Sequence, residues 1–176
     1  VSNFENLEPV IVSENTLLVA LDMYLGSESF FYKTAPEYIK QRFDKRFISS
    51  DVFHAYFAEN IPLSNDNSLL ASMIHYGKIH YLCSKMLPAE KQEIIMSYPR
   101  SKMKWCLNNE SNIWAYFIEN QLLFSSQYQT KQRFIEDAPF SKFYTSFDSE
   151  SPGRVGQWLG WRIVSSYMNS HPEISL

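Results

Sequence analysis

The chain has 176 residues, of which 45% are hydrophobic and 16% aromatic, and its formal net charge is −3 at pH 7. This length favours one domain with a core that needs no disulfide or metal, and the apolar content excludes an intrinsically disordered chain. The negative charge and the lack of any basic run longer than two residues exclude a general nucleic-acid binder. No apolar run reaches the roughly 18 residues that a membrane-spanning helix needs. From the length we expect residues 1–176 to be a single domain, and because the sequence begins at Val1, not Met, we expect it to be a processed or trimmed piece of a longer product.

The N-terminal third contains signals for short elements. Apolar runs at 10–12 and 17–21 flank the polar residues 13–16, which predicts two strands joined by a turn. A helix over 17–25 that ends at Gly26 fits the same residues, because glycine favours the position after a helix; we favour the strands. Pro36 predicts the start of a short helix, and Ser50 with Asp51 predicts the N-cap of another that runs to Glu59.

Three longer segments predict buried helices, at 65–87, 101–124 and 151–168. Apolar residues surround the axis of the first segment, which indicates a central helix. Shorter helices are predicted at 89–98 and around residues 134–135. The predicted fold class is therefore mainly α (α+β), with a possible small N-terminal sheet. The apolar residues of the second long segment define its predicted inner face, which comprises Trp105, Leu107, Ile113, Trp114, Phe117 and Ile118.

The segment 151–168 is the one around which we expect the fold to assemble. Ser151 suits a helix N-cap, and Pro152 suits the first helical position. Gly153, Gly156 and Gly160 then fall within an arc of about 60° on a helix. Because glycine inside a helix costs up to about 1 kcal/mol relative to alanine, this stripe indicates that a second backbone passes close by. Apolar residues occupy most of the remaining circumference, so protein should enclose the helix.

Charged residues occur at apolar positions of the predicted helices. An unpaired buried carboxylate is costly, so Glu110 must be neutral, paired or bound to a cation. It is either a structural anchor for Arg154, Arg162 or Lys78, or a carboxylate that binds a ligand or takes part in catalysis. Lys78 either extends to the surface from its helix or forms a buried ion pair with an acidic residue of another helix.

Tests for catalytic and metal-binding patterns are negative. His75 and His80 are five residues apart, so they point about 140° away from each other on a helix and do not bind one ion together. No nucleophile has an evident basic partner, and there is no phosphate-binding glycine loop. We predict no catalytic residue, metal or cofactor. Cys83 and Cys106 are either two buried thiols or a disulfide between neighbouring helices.

Several segments resemble the gliding-motility lipoproteins of the GldB type. They match in order over nearly the whole chain: DMYLG at 22–26, PEYI at 36–39, LASMIHYGK at 70–78, Trp105 with NESNIWAYFIEN at 109–120, APFS at 138–141, and the glycine-striped helix. The resemblance implies a cell-envelope protein of the outer membrane, with its domain in the periplasm. It also implies a lipid anchor on a cysteine outside these residues as the only membrane attachment. The implied function is contact with a protein partner in gliding-motility or lipoprotein machinery.

This family is similar, more remotely, to zincin-like metallopeptidases, which carry His-Glu-x-x-His on a central helix. The corresponding residues here are IHYGK at 74–78, which lack both histidine ligands and the general base. The resemblance therefore implies a degenerate zincin-like fold and a non-catalytic pseudoenzyme. The alternative function is that of a metal-dependent, peptidase-like hydrolase that uses Glu110.

In place of the peptidase metal we expect a buried polar cluster. A lysine ammonium at Lys78 would neutralise Glu110 or Asp22, with Arg154 and Arg162 nearby. A pocket beside this cluster would be lined by His75, Tyr76, Trp114, Trp158 and Trp161. For the tryptophans, together with Trp105, we favour the simpler interpretation that they fill the core.

Overall fold

A β-hairpin opens the part of the chain that is described by the computed structural model, which covers residues 8–145 and 148–174. Strands β1 (Val10–Ser13) and β2 (Thr16–Val19) pair antiparallel, from Val10 opposite Val19 to Ser13 opposite Thr16. The predicted strands are therefore confirmed, and so is the mainly α fold with a small sheet. Seven α-helices lie in the described ranges: α1 (Glu37–Lys40), α2 (Ile48–Asn60), α3 (Leu69–Met86), α4 (Gln92–Ile95), α5 (Arg100–Glu119), α6 (Tyr128–Phe134) and α7 (Val155–Ser170).

Helix α2 begins earlier than the sequence predicts. A 3-10 turn at Lys45–Phe47 runs directly into it, and the Asp44 carboxylate caps that turn by accepting the main-chain N–H of Arg46. The predicted N-cap at Ser50 and Asp51 is therefore wrong, because both residues lie inside the first turns of α2. Both are buried, which places their polar side chains in the interior.

Helices α3 and α7 form the centre of the fold and cross at van der Waals distance. A Cβ atom on Gly160 would lie 1.8 Å from the main-chain oxygen of Met73. Residues 151–160 are all buried. At Gly160, the close backbone predicted from the glycine stripe is α3, whereas Gly156 approaches the main-chain oxygen of Phe134. The predicted enclosure holds for the first half of α7. The second half emerges at the surface, where Arg162 and Tyr167 are exposed.

Helix α7 starts three residues after the predicted position. Arg154, which precedes it, adopts a left-handed backbone conformation with φ of 57°. Ser151 is therefore not an N-cap; its hydroxyl donates to the main-chain oxygen of Asp148 at 2.7 Å. Gly153 lies before the helix, where a Cβ atom would be 2.3 Å from the main-chain oxygen of Ala138. The proline at 152 and this glycine thus shape the approach to α7 and do not lie in its first turn.

Helix α5 packs through a face that is rotated from the predicted one. Ile113 and Phe117 are buried as expected, together with Met103 and Cys106. The prediction is wrong for Leu107 and Ile118, which are 47% and 62% exposed. Cys83 and Cys106 are buried free thiols, which confirms the first of the two alternatives. Among the described residues, no helix is long and apolar enough to cross a membrane.

Candidate functional site

A polar cavity of about 480 Å3 lies beside the crossing of α3 and α7. Its walls are β1, one face of α2, part of α3, the segment 135–137 after α6, and the start of α7. Among the ionisable side chains that line it are His54 from α2, His80 from α3 and Arg154 from the α7 entry. Arg42, which follows α1, also lines it, so at least six separate parts of the described chain form the cavity.

A chain of hydrogen bonds crosses the cavity floor. His80 Nδ1 lies 2.8 Å from His54 Nε2, and His80 Nε2 lies 3.0 Å from the amide oxygen of Gln157. The Gln157 amide nitrogen donates to the main-chain oxygen of Ile135 at 2.7 Å, which fixes the orientation of the amide. Because an amide oxygen only accepts, His80 carries its proton on Nε2 and accepts the His54 N–H at Nδ1.

Burial keeps both histidines neutral. It lowers the pKa of His80 to about 3, with the nearby Arg154 acting in the same direction and the Gln157 hydrogen bond opposing it. The pKa of His54 is also held well below the usual histidine range, first by burial and then by His80. Two neutral, mutually bonded imidazoles are unsuited to act as a general acid at neutral pH.

The Asp137 carboxylate bridges two arginines at the edge of the cavity. Arg154 Nε lies 2.8 Å from Asp137 Oδ1, and Arg42 Nη1 donates to Oδ2. Arg154 also donates to the main-chain oxygen of Met96 at 2.9 Å. Burial acts to raise the pKa of Asp137, but Arg154 and Arg42 outweigh it, so the net pKa is lowered. The two guanidinium groups are therefore held in place by an ionised carboxylate of the same chain.

Asp51, a buried carboxylate of the floor, is held by hydroxyl groups. It accepts from the Tyr24 hydroxyl at 2.8 Å and from the Ser97 hydroxyl at 3.2 Å. Burial raises the pKa of Asp51, against the opposing effect of Arg42. Each charged group of the floor thus has a partner within the protein.

The structure does not bring the predicted buried cluster together. Of its five members, only Arg154 is buried and lines the cavity. Asp22 is exposed in a 3-10 turn, and Lys78 is partly exposed and forms no ion pair with any described residue. Their predicted burial is wrong, as is that of Arg162.

Glu110 forms an ion pair with Arg162, one of its expected partners, but the pair lies at the surface. Its carboxylate lies 3.2 Å from Arg162 Nε, and the two side chains are 30% and 42% exposed. The physical reason is that α5 is rotated and α7 leaves the core after its first half, so both residues come to the edge of the α5–α7 contact. Glu110, Arg162 and Trp114 line a separate surface depression.

The predicted pocket lining is divided in the same way. Tyr76 lines the cavity, whereas His75 does not and packs edge-on against the Tyr76 ring, with 5.2 Å between centroids. Trp158 and Trp161 are buried and belong to the hydrophobic core, in agreement with the core-filling interpretation. Trp105 is partly buried against the same core.

Most of the polar residues of the cavity floor could not be identified from the sequence alone, namely Arg42, Asp51, His54, His80, Asp137 and Gln157. One signal was available, because Gln157 is the polar residue in the otherwise apolar first half of α7, residues 155–161. The partners of Gln157 lie 77 and 22 residues away along the chain. A metal fits this floor poorly: within 8–145 and 148–174, no group of three or more His, Cys, Asp or Glu side chains is arranged to hold an ion.

A family profile described as gliding motility protein GldB matches residues 1–176. The chain belongs to the GldB family. The family resemblance predicted from the sequence is therefore confirmed, and the family name identifies a gliding-motility-related lipoprotein of the cell envelope. No curated protein and no solved structure matches this GldB-family chain. Its remoter similarity to zincin-like metallopeptidases stays a prediction.

Proposed function

We propose that this chain is a non-catalytic envelope module that acts by protein contact in gliding-motility or lipoprotein machinery, and that the cavity is its binding site. Residues 1–176 would form one domain of a longer lipoprotein that is held in the periplasm by its lipid. The observation that supports this proposal is the closed hydrogen-bond chain from His54 through His80 and Gln157 to Ile135. It leaves no imidazole nitrogen of His80 free to activate water or a nucleophile.

The residues of the cavity fit a degenerate peptidase site better than an active one. A zincin needs two helical histidines four residues apart and a general-base glutamate between them. On α3 the only cavity-facing histidine is His80, and both its nitrogens are already bonded. Glu110, the residue on which the hydrolase alternative depends, lies outside the cavity and pairs with Arg162. No further observation favours the hydrolase.

The cavity rim offers a way to block binding without disturbing the core. Ala58 is exposed on α2 and lines the cavity, so Ala58→Trp would fill the entrance while leaving the buried floor intact. Ala115 is exposed on α5 and does not line the cavity, which makes Ala115→Trp a matched control. Both variants should be expressed as the full lipoprotein in a strain that lacks its own copy.

We expect Ala58→Trp to leave the protein at normal abundance but to reproduce the gliding or envelope defect of the deletion strain, whereas Ala115→Trp restores function. The purified protein, prepared without chelator, should contain substoichiometric zinc and cleave no peptide substrate. Full function of Ala58→Trp would show that the cavity is not the binding site. Stoichiometric zinc with zinc-dependent peptide cleavage would establish the hydrolase instead.

A further inference from the structure

The hydrogen-bond chain of the cavity floor leaves an acceptor at its open end. The Gln157 amide nitrogen donates to Ile135, so the amide oxygen accepts the Nε2 proton of His80. His80 Nδ1 then accepts the Nε2 proton of His54, which leaves His54 Nδ1 without a proton. This nitrogen is not buried, and no described residue bonds to it. Because His54 lines the cavity, its Nδ1 is available to accept a hydrogen bond from a ligand there.

The charged side chains around the cavity also favour a donor. Three exposed carboxylates line it and have no cationic partner within ion-pair distance in the described ranges, namely Glu8, Glu59 and Glu136. The cationic side chains of the described lining are Arg42 and Arg154, and Asp137 pairs with both of them. Five carboxyl groups thus line the cavity against two guanidinium groups. An incoming ligand meets a negative field, which attracts positive charge and raises its association rate.

The end of α2 adds to this field. Ala58 and Glu59 lie in the last turn of the helix, which ends at Asn60 and contains no basic residue there. The carbonyl groups at the C-terminus of a helix carry a partial negative charge, which stabilises a cation placed within the last turn. A cation that enters beside Glu59 therefore interacts favourably with the carboxylate and with the end of the helix.

The rest of the lining includes an apolar surface that suits an alkyl chain. α2 packs directly against β1, so the apolar side chains of these two elements lie together. The apolar lining includes Val10, Val12, Ala55, Ala58, Ile79 and Ile135. Lysine and arginine bury their alkyl stems along apolar surface while the charged head stays in a polar environment. The cavity volume of about 480 Å3 lies within the range of roughly 300–1,000 Å3 that is usual for small-ligand sites.

We propose that the cavity binds one basic side chain of a partner protein, a lysine or an arginine, through its ammonium or guanidinium group. These groups carry hydrogen-bond donors and no acceptor, which matches the acceptors that the lining presents. The carboxylates attract the charged head, and His54 Nδ1 accepts one of its hydrogen bonds. This inference rests on the proposed function, because it names the chemistry by which the partner enters that same site.

The first experiment titrates the full chain with four small probes that share a butyl stem: n-butylammonium, n-butylguanidinium, n-butanol and valerate. Nitrogen-15 NMR of the histidine side chains reports binding, because a hydrogen bond to an unprotonated imidazole nitrogen moves its resonance to lower frequency. We expect both cations to shift the His54 Nδ1 resonance with a Kd of about 1–10 mM. The butanol should bind at least about tenfold more weakly, valerate should not bind, and added salt should weaken binding of the cations.

A second pair of probes distinguishes a side chain from a free amine. One is a tripeptide with a central lysine between two alanines and with both termini capped, and the other is the same peptide with an acetylated lysine, which carries no charge. We expect the lysine peptide to bind at least as tightly as n-butylammonium and the acetylated peptide not to bind. Binding of n-butylammonium without binding of the lysine peptide would overturn the inference in favour of a free small amine.

Single substitutions then locate the site. Glu59→Gln and Glu136→Gln should each weaken binding of the lysine peptide about threefold, as expected for exposed charge pairs. Glu119→Gln, exposed at the end of α5, is the matched control and should leave the Kd unchanged. Ala58→Trp should abolish binding of the lysine peptide, whereas Ala115→Trp should preserve it.

Three results would overturn the inference: equal affinity for the cations and for n-butanol, an unshifted His54 Nδ1 resonance at saturation, or binding that Glu59→Gln and Glu136→Gln both leave unchanged. Absence of any binding would also overturn it. Such failures are distinct from failure of the proposed function, because Ala58→Trp would still abolish function in cells if a partner of other chemistry occupied the cavity.

Discussion

Gly77 of α3 and Gly160 of α7 face each other where the two central helices cross. A Cβ atom on Gly77 would lie 2.4 Å from the carbonyl carbon and oxygen of Gly160. Neither contact involves a flexible side-chain end, so the backbones themselves are in contact. His80 lies about one helical turn after Gly77, and Gln157 lies about one turn before Gly160. The crossing therefore places the two side chains within hydrogen-bond distance of each other. The geometry of the cavity floor therefore depends on two residues that have no side chain.

The first prediction concerns this crossing. Gly160→Ala should destabilise the protein by about 3 kcal/mol, because overpacking against a rigid backbone outweighs the gain of up to about 1 kcal/mol from replacing a helical glycine. Thermal or urea unfolding measures the change. Ser166→Ala, exposed on the same helix, should shift the free energy of unfolding by less than about 0.5 kcal/mol. An unchanged midpoint for Gly160→Ala would contradict the close approach of α3.

The second prediction is that acid destabilises the protein through its buried histidines. The native pKa of His80 is about 3, well below the value near 6.5 in the unfolded chain. Between these two values only the unfolded state binds the proton, so stability falls as pH falls through this window. Each such histidine contributes about 1.4 kcal/mol per pH unit there. Urea unfolding at intervals between pH 7 and pH 4.5 measures the slope.

The variant His80→Gln isolates this contribution. Its free energy of unfolding should depend less steeply on pH, by the slope of one histidine. Comparison with the wild type cancels the contribution of Asp51, whose raised pKa acts in the opposite direction. The variant Ser166→Ala, exposed on α7 and outside the cavity, should retain the wild-type slope. Parallel curves for wild type and His80→Gln would show that His80 is not buried in its neutral form.

The third prediction concerns the bridge between Arg154 and Arg42. Asp137→Asn removes the charge that both guanidinium groups share and should cost about 1–3 kcal/mol, less than a fully buried pair because the Asp137 side chain is 45% exposed. The lowered pKa of Asp137 stabilises the protein above the unfolded value of 3.8, and this contribution is lost as pH falls toward the native value. The wild-type and variant stability curves should therefore converge in acid.

The control is Glu37→Gln, which removes the charge of Glu37 from its ion pair with Lys40 at the surface. This variant should lower the free energy of unfolding by less than about 1 kcal/mol. An equal loss of unfolding free energy in Asp137→Asn and Glu37→Gln would contradict a special role for Asp137.

The fourth prediction separates Lys78 from Glu110. The two form no ion pair in the structure, so Lys78→Met and Glu110→Gln should be additive in a double-mutant cycle. Each should cost less than about 1 kcal/mol, because Glu110 pairs with Arg162 at the surface. A coupling energy of several kcal/mol would restore the buried pair that the sequence predicted.

Periodicity and local chemistry predicted much of the fold. The hairpin, the central position of the 69–86 and 155–160 segments, and the close backbone at the glycine stripe could all be inferred because each depends on neighbouring residues. Boundaries were less predictable. Asp44 and the 3-10 turn after it displaced the start of α2, and the left-handed Arg154 displaced the start of α7.

The candidate site could not be predicted in the same way. A helical projection places a residue relative to its own axis only, so a small rotation of α5 was enough to carry Glu110 to the surface. His54, His80 and Gln157 come from three different helices, and no spacing within the chain relates them.

By itself, the sequence determined the mainly α fold, the family and the contact through glycine at the core, because these follow from residue type and local order. Only the tertiary structure decided which polar groups share the cavity, which carboxylate bridges the arginines and which residues of α5 reach the surface. Those relationships depend on how the helices are rotated and crossed, and that is set by the packing of the whole core.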